Sequence, residues 1–334
     1  MSAGLPLVAE DADPAVVLTE LLAAGHGDGL PVVPPTASRV AAMLAGTAAP
    51  DEVHGQVPPL FGDLTVRAVA WYAVLAGCRP AELPLVATAV RAALAPGFNL
   101  LGIATTTGAP AVGVLVHGGL AAELGITAGA GGLGTGTRAN ACTGRAVSLA
   151  LSGIGGARAG TTDMSTLGSP TKVGCCTAES PAGPWPSLAV RRGLPDGAAA
   201  VTVHGVGSLL EVLPGAGYRT AADVLAPAAG ALAGVAVAAG DPHRAGGTEH
   251  LLLVPPELAG FLADRGWDAD RVADHLVRHG SRRLRSLAGD PGLAVAASPG
   301  GLQVVVSGGA GVKMQLLPGW AGGTRSVTVP VAAW

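Results

Sequence analysis

Two of this chain's four cysteines stand side by side, Cys175 and Cys176, in the stretch "TKVGCCTAESPAGPWPS". Glu179 follows three residues on, and Lys172 comes just before. Adjacent cysteines close only a strained ring, which disfavours a structural disulfide. A metal site would need more than two neighbouring thiolates, and no C-x-x-C occurs. One reactive thiolate is the functional reading that remains. Backbone N–H groups, or Lys172, Arg191 or Arg192, would lower its pKa. Glu179 would then give or take a proton on a substrate held against it. The competing reading makes both thiols small buried hydrophobes, the common state of free cysteine.

A second candidate is the glycine cluster 125–136, which leads into "RANACTGRAVSLALSGIGG". Gly129 to Gly134 spell G-x-G-x-x-G, but the acidic residue a dinucleotide site needs about 20 positions on is missing, as is a Walker lysine. A more general anion site survives, with backbone N–H groups of Gly131, Gly132 and Gly134 and the nearby Arg138 and Arg145. Tight packing of the loop is the alternative. His275 and His279 share a helix face, yet no third ligand follows at matching spacing, and no metal is assigned. The chain has no G-x-S-x-G elbow, which argues against a serine α/β-hydrolase.

The elements that must position these residues alternate. Helical patterns cover 14–24, 38–46, 64–77, 83–96, 256–266 and 268–287, and another helix begins near Arg138–Asn140. Strand patterns cover 111–118, 198–206, 249–256, 302–311 and 324–331, with shorter ones expected at 31–33 and 99–107. This order predicts an α/β fold with a mixed or parallel sheet, as one domain or as two packed α/β subdomains. An N-terminal domain 1–192 would carry the glycine loop and Cys176, with 193–334 as the C-terminal domain, unless both form one domain. No sustained sequence repeat is found; "AGAGG" and "SGGAG" are too short to count in a chain with 52 glycines.

Composition narrows the function. The apolar fraction of 49% supports a large core, and 3% aromatics means it is built from Leu, Val and Ala. A net charge of −3 leaves no basic footprint for nucleic acid. The N-terminus lacks a signal-peptide pattern, and the uncharged runs are broken by Pro, Gly and Thr, so a cytoplasmic protein with no membrane partner and reduced thiols is expected. With only 13% charged residues, burial of surface in a homo-oligomer is expected as well.

Taken together, "DGLPVVPPT" (28–36), "AGCRPAELPLV" (76–86), "RANACTGRA" (138–146), "TDMSTLGSPTK" (162–172), "CTAES…PW" (176–185), "GGAG" (308–311) and "TRSV" (324–327) resemble a bacterial family of largely uncharacterised proteins associated with UGSC-type thiol or selenol proteins. The resemblance covers nearly the whole chain. It implies that the family's cysteine is Cys176, with Glu179, Lys172 and Cys78 at further motif positions, and it matches Asn140, Arg145 and Asp163 to others. The chain departs from the pattern at Ser180, at Lys313 and at His117.

The resulting expectation is a cofactor-independent, cysteine-dependent enzyme for a small anionic acyl or sulfur-containing substrate. Cys176 would act as nucleophile or thiol acid/base, assisted by Glu179, Lys172 and Cys78. Gly131, Gly132, Gly134, Arg138, Asn140, Arg145 and Asp163 would bind the substrate. The alternatives are a metalloprotein with Cys176, Cys78, Glu179 and a histidine as ligands, or a non-catalytic subunit presenting a ligand to a thiol or selenol partner protein.

Overall fold

A computed structural model describes residues 5–134 and 137–334. The first part of the chain is helical: α1 (Pro14–Ala23), α2 (Ala37–Met43), a small hairpin β1 (Gln56–Val57) and β2 (Gly62–Asp63), then α3 (Val66–Ala76), α4 (Leu83–Ala92) and α5 (Leu100–Thr105). Two successive units follow. The first comprises β3 (Ala111–His117), α6 (Leu120–Leu124), α7 (Arg138–Gly155), β4 (Cys176–Ala178), α8 (Leu188–Arg191), β5 (Ala200–Val206) and β6 (Leu210–Val212). After α9 (Ala221–Ala238), the second comprises β7 (His250–Val254), α10 (Pro256–Ala263), α11 (Ala269–Ala288), β8 (Leu302–Val306), β9 (Met314–Leu317) and β10 (Val327–Pro330).

The two long central helices have matching local punctuation. Thr137 accepts a hydrogen bond from Asn140 N to start α7, and Asp268 accepts from Arg271 N to start α11. Each then stops at a glycine with a left-handed backbone, Gly156 or Gly289. In α9, Pro227 removes the amide that Asp223 O would have bound, and Gly215 N donates to that carbonyl instead. This helix is long and apolar enough to cross a bilayer, but its buried stripe packs on α11.

The strands form two four-stranded mixed sheets, ordered β10-β5-β3-β4 and β6-β9-β7-β8. In each, the two strands flanking the long helix run parallel, and the third strand lies antiparallel on the other side of the first. The fourth strand of each unit leaves it: β6 pairs with β9, and β10 pairs with β5. The units therefore share one topology and exchange their last strands, although their sequences show no repeat. Residues beyond 192 complete the first sheet, so a cut between 192 and 193 would open it.

Helices α4 and α7 cover the outer face of the first sheet, with α3 packed on both of them, and α9 and α11 cover that of the second. The inner faces meet through Leu115, Cys175, Val206, Leu253, Val305 and Leu317. The result is a helix–sheet–sheet–helix stack. The α/β class and the mixed sheets agree with the sequence pattern. Two short strand assignments do not. Residues 99–107 form α5, because Asn99 caps Gly102 N and the apolar positions 100 and 103 face inward with helical spacing. Residues 31–33 are irregular between Gly29 and the double proline.

Where the sheets join, Gly319 bridges to Val206, and a Cβ on it would lie 1.9 Å from the Glu249 carbonyl oxygen. Gly319→Ala is expected to cost about 2–3 kcal/mol by forcing that backbone apart. Gly234, exposed on α9 with nothing within 4 Å of its would-be Cβ, is the contrast: Gly234→Ala should gain about 0.5–1 kcal/mol. Urea unfolding of the two variants checks both signs.

Candidate functional site

Strand β4 explains the cysteine pair. Successive side chains on a strand point to opposite faces. Cys176 enters the helix-side core, where the would-be Cβ of Gly144 on α7 lies 3.2 Å from Cys176 Cβ. Cys175 enters the layer between the sheets, facing Gly113. Both thiols are 3% exposed. Burial pushes the Cys175 thiol up to about 12 and also raises that of Cys176, with Cys175 and Glu82 adding to the latter. The expectation of an activated Cys176 thiolate is therefore not met by its surroundings, which favour the neutral thiol. The two sulfurs serve different cores.

The other expected residues fall into separate places. Cys78 lies beside Glu82, Cys142 and Arg138, and its thiol is raised well above its ordinary value by burial and then by Glu82. Arg138 donates to Glu82 and to Gly77 O, so its guanidinium is committed to the protein. Asn140 is 1% exposed. Its amide donates to Thr127 O, Gly132 O and Cys176 O, while its oxygen accepts from Thr127 N and Thr137 Oγ1. It ties the glycine loop to β4 and has no capacity left for substrate.

In that loop Gly132 N and Gly134 N donate to Gly129 O and Gly131 O, closing turns rather than opening an anion cradle. A Cβ on Gly132 would meet Thr177 Oγ1 at 2.7 Å, so this glycine is needed for close packing. Gly131 takes a left-handed φ of 72°. Residues 135 and 136 of the same cluster lie outside the described residues. The loop and the later glycine run do meet, because Gly308 N donates to Ala128 O at 2.7 Å.

Arg145, Asp163 and Lys172 come together near one cavity at the N-terminal ends of β3 and β4. Arg145 grips both carboxylate oxygens of Asp28 at 2.7 Å, and it also donates to Leu30 O and Pro31 O. Lys172 Nζ donates to Asp163 Oδ2 and Ser165 Oγ, both at 2.5 Å. Burial acts to raise the pKa of each aspartate, but the hydrogen bonds and the paired cation outweigh it, leaving Asp28 and Asp163 below the usual range.

Glu179 stands at the opposite, C-terminal ends of the same strands, on the floor of a cleft of about 600 Å³. Gly118, Gly119, Trp185, Asp196 and Val306 are among its walls. Outer ends of parallel strands are where open α/β sheets bind ligands, and the volume lies in the range of small-molecule sites. Glu179 N continues the ladder to Val116 O. Its carboxylate accepts from Leu188 N at 3.1 and 2.9 Å and lies 2.7 Å from His117 Nδ1.

A line of hydrogen bonds leads away from this pair across the inner face of the first sheet. His117 Nε2 is 2.7 Å from Thr202 Oγ1, Thr202 Oγ1 is 2.7 Å from Thr328 Oγ1, and Arg192 NH1 donates to Thr328 at 2.8 Å. Arginine can only donate. Read from that end, Thr328 donates to Thr202, Thr202 to His117 Nε2, and His117 Nδ1–H to Glu179. In that reading His117 aims its Nδ1–H at the carboxylate. Arg192 is itself held by Glu249, which also accepts from Gln303 and Ser326.

Two marks of this arrangement stand in the sequence. A histidine closes the otherwise apolar strand "AVGVLVH", and Thr202 and His204 alternate on "AVTVHGV". The partnership of His117 with Glu179 depends on a parallel strand pairing that joins positions 62 apart, and that with Thr202 on the antiparallel β3–β5 pairing. Among the described residues, no three His, Cys, Asp or Glu side chains form a metal-binding group. In particular, Cys176, Cys78 and Glu179 do not converge. His275 and His279 stack on each other with centroids 4.0 Å apart. No protein-family model matches the chain, and no curated protein matches it.

Alkylation of the native protein, mapped by mass spectrometry, should leave Cys175 and Cys176 slowest of the four, with all four reacting alike in denaturant. Fast modification of Cys176 in the native state would restore the nucleophile reading.

His204, at 3% exposure, leaves Nε2 without a partner and is pushed down to about 4 by burial. Its folded pKa lies below the unfolded value of 6.5, so its contribution to stability is present above pH 6.5 and is lost as pH falls toward 4. The urea midpoint of His204→Leu should therefore fall less steeply across that window than that of the parent.

Proposed function

We propose that the protein is an enzyme acting on a small molecule bound in the cleft at the C-terminal ends of β3 and β4, with Glu179 as the group that exchanges a proton with it. The observation that carries this reading is the Glu179–His117 pair at the cleft floor, backed by the donor line from Arg192. A carboxylate offers about four acceptor sites. Leu188 N and His117 occupy three directions, two of them on Oε2. Oε1 keeps a lone pair for a ligand proton.

The mechanism follows from those contacts. Glu179 Oε1 takes a proton from the ligand, and the Glu179–His117 bond holds the carboxyl group in place while its charge changes. His117 points Nδ1–H toward Glu179 Oε2, so it orients the base and leaves Oε1 to the ligand's proton. Return of the proton to a neighbouring atom of the ligand completes an isomerisation, and expulsion of a leaving group instead completes an elimination.

The cleft lining carries the carboxylates of Glu179 and Asp196 and no lysine or arginine. A neutral or cationic ligand suits it better than the small anion expected from the sequence, and Trp185 offers an aromatic wall for such a group. Catalysis by Cys176 is not part of this reading, because its thiol belongs to the helix-side core.

A thermal-shift panel of small amines, alcohols, amides and carboxylates, followed by deuterium exchange into the hits in D2O, tests the reading. Hits are expected among the neutral and cationic members, with Glu179→Gln slowing exchange about 100-fold or more. His117→Asn should slow it less, by loosening the base. Hits confined to carboxylates, with exchange unaltered in Glu179→Gln, would overturn the proposal.

A further inference from the structure

We infer that the cavity at the other end of β3 and β4 is a second ligand site, separate from the cleft, which takes a compact monocarboxylate with an apolar body. Leu100, Ile103, Pro110, Val112, Leu149 and Leu151 line its inner part, and Asp28, Asp163 and Lys172 stand at its polar side. Its volume is about 130 Å³. An apolar cavity of about 150 Å³ holds benzene, so a ring or branched chain of about six heavy atoms fits.

The polar side decides the head group. Both Asp28 oxygens are taken by Arg145, with Leu30 N adding a bond to Oδ1. On Asp163, Oδ1 accepts from Ser165 N at 3.1 Å and lies 2.7 Å from Ser165 Oγ, and Oδ2 accepts from Lys172. The two carboxylates are thus neutralised by two cations, and neither presents an unopposed charge to the cavity. An ammonium group has three donors. Two from Lys172 go to Asp163 and Ser165, which leaves one hydrogen with no acceptor among the described residues. A carboxylate accepts it as a charge-assisted bond, stronger than the same bond to a hydroxyl. An ammonium head would meet Lys172 with like charge.

The side of the cavity is fixed by the same contacts. Ser165 Oγ lies 2.7 Å from Gly108 O, and Thr166 N donates to Thr107 O, which anchors the loop after α7 onto the segment before β3. Lys172 is therefore held over the cavity by the protein's own bonds before any ligand enters, which limits the entropy lost on binding.

Titration of the full chain with benzoate, benzyl alcohol and benzylamine, followed by amide chemical shifts, tests the inference. Benzoate should shift Ile103, Ala104, Val112 and Leu149 but not Gly118 or Gly119. Benzyl alcohol should bind about tenfold more weakly, and benzylamine more weakly still. Lys172→Met should bring benzoate down to the level of the alcohol.

Because that variant also strips Asp163 of its partner, Ala104→Phe provides an independent arm: it fills the cavity with both ion pairs intact and should abolish the benzoate shifts. Glu179→Gln should bind benzoate as the parent does, so failure of the cleft proposal leaves this one standing. Equal binding of the three probes, benzoate shifts that survive Ala104→Phe, or no shifts at the lining would each overturn it.

Discussion

Both sheets are covered on both faces, by helices outside and by each other inside, so a polar group between them has no water to bond. An unpaired polar group there costs more than a paired one returns, and the middle layer is organised accordingly. Thr202, His117 and Glu179 hand hydrogen bonds from strand to strand toward the cleft, while Arg192 and Glu249 close the other end with Ser326, Thr328 and Gln303. Where the strands end, this line emerges beside open space. A carboxylate oriented by a buried donor line and exposed on one side to a cleft has the arrangement that proton transfer requires.

The strand exchange makes that layer possible. Because β6 and β10 each complete the other unit's sheet, the two sheets are tied together through covalent connections as well as packing. The units are similar in topology but not in chemistry. Glu179 N bonds Val116 O just as Ser307 N bonds Val254 O, so Ser307 occupies the position of Glu179 in the second unit. The residue after Val254 is Pro255, where the first unit has His117. Ser307 turns its hydroxyl to Ala178 O of the first unit. One copy of the shared framework carries the hydrogen-bonded Glu179–His117 pair, and the other supports it.

Many elements were legible in the sequence, for reasons that can be named. The long helices announce themselves by apolar spacing, by Thr or Asp at the start and by Gly at the end, as in α3, α7 and α11. The buried strands β3, β5, β7 and β8 read as uninterrupted apolar runs. Elements without such signals were missed or misread: α5 reads as a strand because six residues are too few to show a helical period, β6 and β9 are ordinary in composition, and the long α9 is so uniformly Ala- and Gly-rich that it shows little apolar contrast. The shared topology of the two units was invisible because a fold is specified by pattern, and two stretches of chain can satisfy one pattern with different residues.

For the candidate site, the sequence determined which chemical groups were in supply: a carboxylate after the cysteine pair, two arginines on one helix, a lysine and an aspartate flanking a loop, and histidines within apolar strands. Tertiary structure decided which of them meet. Alternation along β4 sends Cys175 and Cys176 to opposite cores, parallel pairing sets Glu179 beside His117, and the loop after α7 carries Lys172 to Asp163 at the far end of the same strands. Local sequence constrains the backbone conformation of a few residues at a time. Proximity between residues far apart in the chain, and the loss of water that disfavours a thiolate and leaves a carboxylate to be held by protein donors, exist only once the sheets have closed on each other.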